Sequence, residues 1–264
     1  MSAHPTVSHY MTAPARTISA SARLADAHAI LREHSFSALP VLDASGRVAG
    51  VISRTDLLRA GRVSGRVSRT APLLTFDEGA TVASLMTSPA ATVTPETPIA
   101  RAAEEMLRHR YHRLVVVDAK GALVGVFSTK DLMAAARDLK VSGAIGDFMS
   151  DSVVTVDALD NIAHATDRLA DAQVAGVVVL EEGRPAGMFT QTEALQARDE
   201  PATTPLGDVM SYAMLCLDRG TKVHRAAAHA LATRARRVIV VDHHHVCGVV
   251  TGMDFARAVR AAIE

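Results

Sequence analysis

The sequence predicts an α/β (α+β) fold of four tandem β-α-β-β-α units, paired two by two, and three observations predict it. Met-Ser/Thr recurs four times, at Met11-Thr12, Met86-Thr87, Met149-Ser150 and Met210-Ser211. A glycine that opens a short apolar strand follows these methionines by 39, 39, 38 and 38 residues, at Gly50, Gly125, Gly187 and Gly248. Each glycine leads into Ser/Thr-x-x-Asp/Glu, at Ser53–Asp56, Ser128–Asp131, Thr190–Glu193 and Thr251–Asp254. Agreement this close over four copies marks a structural repeat.

The elements follow in chain order within each copy. A short strand comes first, such as Thr92-Val93-Thr94. Thirteen residues after each methionine stands an apolar residue, Leu24, Ile99, Ile162 or Val223. From there a helical stripe runs, for example Ile99, Ala102, Ala103, Met106 and Leu107, or Val223, Ala226, Ala227, Ala230 and Leu231. Spacing of i, i+3, i+4, i+7 makes an amphipathic helix. Thr97-Pro98 reads as a capping threonine with proline at the first helical position. A β-branched run follows, as in Leu114-Val115-Val116-Val117-Asp118 and Val238-Ile239-Val240-Val241-Asp242, and reads as a buried strand. The glycine strand and a second helix close the unit.

A hairpin with helices on one face needs a partner for its other face, so pairing of repeats is expected on packing grounds. The expected repeats are 7–60, 80–138, 142–198 and 204–264, paired 1+2 and 3+4, with the pairs joined near 138–145. Residues 61–79 form an inserted loop rich in Gly, Ser and Arg at its start. Its Arg62, Arg66 and Arg69 are either a solvated connector or a clamp for phosphate or a partner.

Composition narrows the function. Lys plus Arg and Asp plus Glu number 28 each, so no global field favours nucleic acid or an anionic membrane. Tryptophan is absent and aromatics are 3%, which argues against base-stacking platforms. No apolar run reaches the roughly 20 residues of a membrane helix. The N-terminus lacks the pattern of a signal peptide. Two cysteines, Cys216 and Cys247, make no disulfide framework, and a reduced, cytoplasmic setting suits them.

The Ser/Thr-x-x-Asp/Glu corner has two readings. As a capping box, the hydroxyl and the acid satisfy backbone N–H groups at the helix start. As a site, the helix N-terminus draws an anion while the acid accepts from hydroxyls of a ligand. The acid is aspartate in three copies, although a reciprocal cap prefers the longer Glu or Gln, and that favours the site. His243-His244-His245 with Cys247 offers zinc-ligand chemistry, but neighbouring strand residues point apart, so a polar hairpin is expected and no metal. No nucleophile elbow or phosphate-binding loop occurs, and the repeats leave no room for a catalytic domain, so no catalytic residue is expected.

The unit Met-Ser/Thr, helix, apolar strand ending in Val-Asp, and Gly-φ-φ-Ser/Thr-x-x-Asp resembles the CBS domain family, from about Val7 to the C-terminus. The stretch His112-Arg113-Leu114-Val115-Val116-Val117-Asp118 is similar to a segment of the nucleotide-sensing γ subunit of AMP-activated protein kinase. The resemblance implies two Bateman modules, each with AMP, ADP, ATP or S-adenosylmethionine in the cleft between paired motifs. It implies that Asp56, Asp131 and Asp254 hold ribose, with Glu193 departing from the pattern. Thr17, Thr92 and Thr155 then approach the adenine, where the fourth repeat has Leu215-Cys216. Ser53, Thr55, Ser128, Thr190 and Thr251 complete the corners, and His112, Arg113 and Lys130 meet phosphate. The expected function is a stand-alone regulatory sensor of adenine nucleotides needing no cofactor, with an unidentified protein partner, and monomer or homodimer both open. The alternatives are a ligand-independent scaffold and a metal or redox sensor at the histidine turn. The first module is expected to be the better site.

Overall fold

The computed structural model of the chain describes residues 5–34, 36–60, 62–63, 74–172, 174, 176–197 and 200–263. The first repeat contains β1 (Ile18–Ser19), α1 (Leu24–Glu33), β2 (Ala38–Leu42), β3 (Val48–Ser53) and α2 (Arg54–Ala60). A ribbon of β4 (Arg62–Val63) and β5 (Leu74–Thr75) follows. The second repeat contains β6 (Thr92–Val93), α3 (Ile99–His109), β7 (Arg113–Val117), β8 (Leu123–Ser128) and α4 (Thr129–Asp138). The third has β9 (Thr155–Asp157), α5 (Ile162–Asp171), β10 (Gly176–Glu181), β11 (Arg184–Thr190) and α6 (Gln191–Gln196). A short α7 (Leu206–Val209) leads into β12 (Cys216–Asp218), α8 (Val223–Thr233), β13 (Arg237–Asp242), β14 (His245–Thr251) and α9 (Gly252–Ile263).

All four first helices start at the apolar residue that the spacing selects, and their stripes are buried except at Leu107 and Leu231, which are half-buried. Ile99, Ala102, Ala103 and Met106 are fully covered, as are Val223, Ala226, Ala227 and Ala230. One detail differs: Pro98 is the N-cap of α3, and the Thr97 hydroxyl accepts from the Thr94 N–H at 3.1 Å. The inserted stretch is a two-stranded ribbon where it is described; Arg66 and Arg69 lie outside the described residues, and so does the Arg62 side chain.

The chain divides into two units, with Leu132 and Met133 marking the change. Repeat 1 and repeat 2 through Leu132 belong to the first unit, and repeats 3 and 4 through Ala262 to the second. Each repeat is a three-stranded sheet, such as β1-β2-β3 with a parallel and an antiparallel pairing. Every hairpin carries a bulge just before its conserved-spacing glycine, at Ala49, Val124, Ala186 and Cys247.

Within each unit the repeats exchange their Met-Ser/Thr segments. Thr12 pairs with Val126 of repeat 2, and Thr87 with Val51 of repeat 1; Ser150 pairs with Val249, and Ser211 with Met188. Each exchanged residue caps the exposed edge of the partner's hairpin. The first helical N–H groups are satisfied the same way. Leu24 donates to the Ala80 carbonyl and Ile99 to Pro5, while Ile162 donates to Thr204 and Val223 to Gly143. These would otherwise be orphan donors at a helix start. In the second unit Val178, Met188 and Ile239 form the apolar seam between the two hairpins.

Candidate functional site at the strand-to-helix corners

At all four corners the acid reaches back to the residue that opens the helix, and at Ser53, Thr190 and Thr251 the hydroxyl also accepts a helical N–H. The Asp56 Oδ2 accepts from the Ser53 N–H at 2.9 Å and the Ser53 hydroxyl at 2.6 Å. The Asp131 Oδ2 accepts from the Ser128 N–H and hydroxyl, both at 2.7 Å. Glu193 accepts from the Thr190 N–H at 3.0 Å and from its hydroxyl. The Asp254 Oδ2 accepts from the Thr251 N–H at 2.6 Å and its hydroxyl at 2.9 Å. The preference of reciprocal caps for Glu therefore does not separate site from cap, because aspartate reaches the same N–H. What separates the corners is the second carboxylate oxygen.

At Asp254 that oxygen is taken by the Arg257 guanidinium, and the residue is 6% exposed. At Asp131 the residue one helical turn on is Ala134, and among the described residues Oδ1 has no hydrogen-bond donor. Burial raises the Asp131 carboxyl above the ordinary carboxylate range, against the pull of the Ser128 bonds and of Lys130. A half-buried acid held without a paired guanidinium is a group with binding capacity left over. At the third corner, Arg237 lies within electrostatic reach of Glu193 across the repeat pair; burial lowers its pKa, with Arg236 adding to this and Glu193 opposing it.

His112, Arg113 and Lys130 all stand near the second corner in the chain, and Arg113 pairs with Ser128 in the β7–β8 ladder. Arg113 crosses to repeat 1 and donates to the Ser37 hydroxyl at 2.8 Å. The Ser37 carbonyl in turn accepts from the Arg54 N–H that opens α2, so Arg113 serves the first corner. His112 stays at the second corner, where its carbonyl accepts from the Thr129 N–H. Lys130 and Thr55 occupy matching, exposed positions at the two corners. Thr92 and Thr155 open their first strands, Thr17 sits one residue before β1, and Cys216 holds the equivalent place in β12.

The histidine turn is a two-residue hairpin loop. His243 and His244 have φ of 48° and 69°, which is a type I′ turn. His243 is solvent-exposed beside Asp242, and no group of three metal-binding side chains occurs among the described residues. Cys216 and Cys247 are both free thiols, pushed up by burial.

The exchange itself was missed in the sequence. Each methionine packs on the glycine of the other repeat: a Cβ added at Gly125 would meet Met11 Sδ at 3.0 Å, and one at Gly50 would meet Met86 Sδ at 2.9 Å. One signal could have found it. A buried apolar residue stands four before every methionine, at Val7, Val82, Ile145 and Leu206, and marks the segment that docks on the partner.

Comparison with known proteins accords with this geometry. The family described as CBS domain matches residues 7–63, 82–138, 145–200 and 206–261. The chain is 33% identical over 132 residues to the CBS domain-containing protein CBSX2, chloroplastic, of Arabidopsis thaliana, covering 44% of this chain and 56% of that one. It is 30% identical over 178 residues to the inosine-5'-monophosphate dehydrogenase of Korarchaeum cryptofilum, covering 59% of this chain and 34% of the enzyme. The chain thus spans about half or less of the length of these relatives. Among solved structures, protein MJ1225 of Methanocaldococcus jannaschii superposes with a TM-score of 0.74 at 16% identity, over 96% of this chain and 99% of that one. That likeness is one of fold. No helix among the described residues is long and apolar enough to cross a membrane.

Proposed function

The chain belongs to the CBS domain family, and from that premise we propose that it is a regulatory sensor that binds adenine nucleotides in its first unit. The observation that carries the reading is Asp131. Its carboxylate spends one oxygen on the helix cap and, among the described residues, keeps the other without a hydrogen-bond donor. It stands where a strand ends and a helix begins, so peptide N–H groups favour an anion beside it. In this family the corner aspartate holds the ribose hydroxyls. Lys130 supplies a cation at the same turn, and His112 adjoins it. Asp56, with Ser53 and Arg113, forms the related first corner. No cofactor and no catalytic turnover belong to this reading, and the output is a change in the relative arrangement of paired repeats, driven by differential affinity.

The second unit supports another role. Asp254 is paired with Arg257, and Arg237 lies within electrostatic reach of Glu193, which suits a ligand-independent scaffold.

Calorimetry with AMP, ADP, ATP and S-adenosylmethionine tests the proposal. Wild type binds at least one adenine nucleotide. Asp131→Ala loses hydrogen bonds to a charged group, worth about 1.5–3 kcal/mol, or roughly 10- to 150-fold in affinity. Asp254→Ala leaves that affinity unchanged. Heat with none of the four ligands, or equal loss in both variants, contradicts the assignment.

A further inference from the structure

We propose that Arg257 is an intramolecular occupant of the fourth corner, which holds that site closed to ligand until the Arg257–Asp254 pair opens. The inference rests on the nucleotide reading above and extends it to the second unit. Among the described residues Asp254 is the buried charged side chain, and both of its carboxylate oxygens are engaged. Oδ2 takes the Thr251 N–H and hydroxyl, and Oδ1 takes Arg257 Nη2.

The same guanidinium nitrogen donates to the Phe148 carbonyl at 2.8 Å. Phe148 directly precedes Met149-Ser150, the segment that repeat 3 lends to repeat 4. Arg257 therefore bridges both repeats of the unit, as a ligand between paired repeats would. Ile145, Phe148, Val223, Val250 and Phe255 surround the Asp254 carboxylate as apolar neighbours. The Arg257 side chain is itself 51% exposed, so the plug sits on the solvent side of the buried acid.

Chemistry decides the competition. A ribose diol needs the oxygen that Arg257 holds, and a neutral hydroxyl makes a weaker bond to carboxylate than a guanidinium does. The corners at repeats 2 and 3 place Ala134 and Gln196 at the matching position, so they lack this plug; repeat 1 has Arg59 there, whose side chain lies outside the described residues. A binding-competent corner that is rarely open shows an affinity reduced by its open fraction.

The test is AMP calorimetry on the full chain, with circular dichroism melting to establish folding. Arg257→Ala should bind one more AMP per chain than wild type, and Asp254→Ala/Arg257→Ala should lose the addition. Arg257→Gln removes the charge but keeps a donor for the Phe148 carbonyl, and it carries the test if the alanine variant unfolds. It should also gain the site. Asp131→Ala/Arg257→Ala should keep the new site while losing the first. Wild-type stoichiometry in both single variants overturns the plug and leaves the first-unit reading standing. Binding by Arg257→Ala alone, with none by wild type, overturns the first-unit reading and leaves the plug. Absence of binding in every protein overturns both.

Discussion

The two units are built from one repeat, yet they differ at the hairpin tips and at the corner acids. From each methionine to the start of the hairpin is 27 residues in all four copies, and from there to the glycine is 12 in the first unit and 11 in the second. The missing residue is at the tip. The first unit closes its hairpins with five-residue loops, in which Asp43 and Asp118 accept loop N–H groups and Gly46 and Gly121 supply φ near 80°. The second unit uses two-residue turns, Glu182-Gly183 and His243-His244, with positive φ throughout. The tip absorbs the change because the bulge, the glycine and the exchanged methionine must keep their register. The corners are free to diverge, since the cap needs only one carboxylate oxygen. In the first unit Asp131 keeps the other oxygen available; in the second Asp254 gives it to Arg257.

The largest expected effects test the exchanged contact that both units share. A Cβ at Gly50 would stand 2.6 Å from the Thr87 carbonyl oxygen, which is backbone and cannot yield alone. At Gly248 the tightest contact is with Met149 Sδ, on a flexible side chain, and the Ser150 carbonyl is 3.0 Å away. Gly50→Ala should therefore cost about 3 kcal/mol and Gly248→Ala about 1 kcal/mol, within the range for overpacking. Denaturant midpoints read the difference. Equal costs would mean that the two units tolerate strain at the exchange alike.

A smaller effect separates the corner acids. Asp131 has a folded pKa raised by burial, so it favours folding while protonated. That contribution is lost as pH rises from near 4, the unfolded value, through the raised one. Asp131→Asn does not titrate, so its stability relative to wild type should increase across that window and then level off. Asp254→Asn removes the charge that Arg257 faces and should destabilise at neutral pH, by about 1.5–3 kcal/mol for bonds to a charged group. Melting curves of both variants from pH 3 to 8 check the opposite signs. The same sign in both would erase the distinction between an available acid and an occupied one.

Much of this was legible in the residues. Leu24, Ile99, Ile162 and Val223 each begin a helix because an apolar stripe fixes its first buried turn. The hairpins followed from β-branched runs. The exchange was not legible from spacing, because a methionine-to-glycine interval within one repeat is indistinguishable from a contact between two. The reach of the Arg113 side chain to Ser37 of repeat 1 was not legible either, because the sequence does not say which way the side chain that opens a strand points. The corner chemistry turned on Ala134 and Arg257, one helical turn beyond the motif, where only the folded helix brings the side chain back to the acid.

The smallest effect concerns the tips. His244 holds φ at 69°, where a side chain with a Cβ is strained by roughly 1–2 kcal/mol, whereas Gly183 holds the matching place in the sister turn at 75° without that strain. His244→Gly removes the strain and adds the greater unfolded-state freedom of glycine, which offsets about 0.5–1 kcal/mol of it. The net expectation is a gain of about 0.5 kcal/mol, and Gly183→His should lose a similar amount. Thermal melting of the two variants and of the double exchange gives the comparison. His243 and His244 form a turn beside an exposed imidazole–carboxylate pair at 2.8 Å, so added zinc should shift neither wild type nor His244→Gly. A zinc-dependent rise in wild-type melting that His244→Gly abolishes would instead make this tip a metal site, and would give the second unit a ligand of its own.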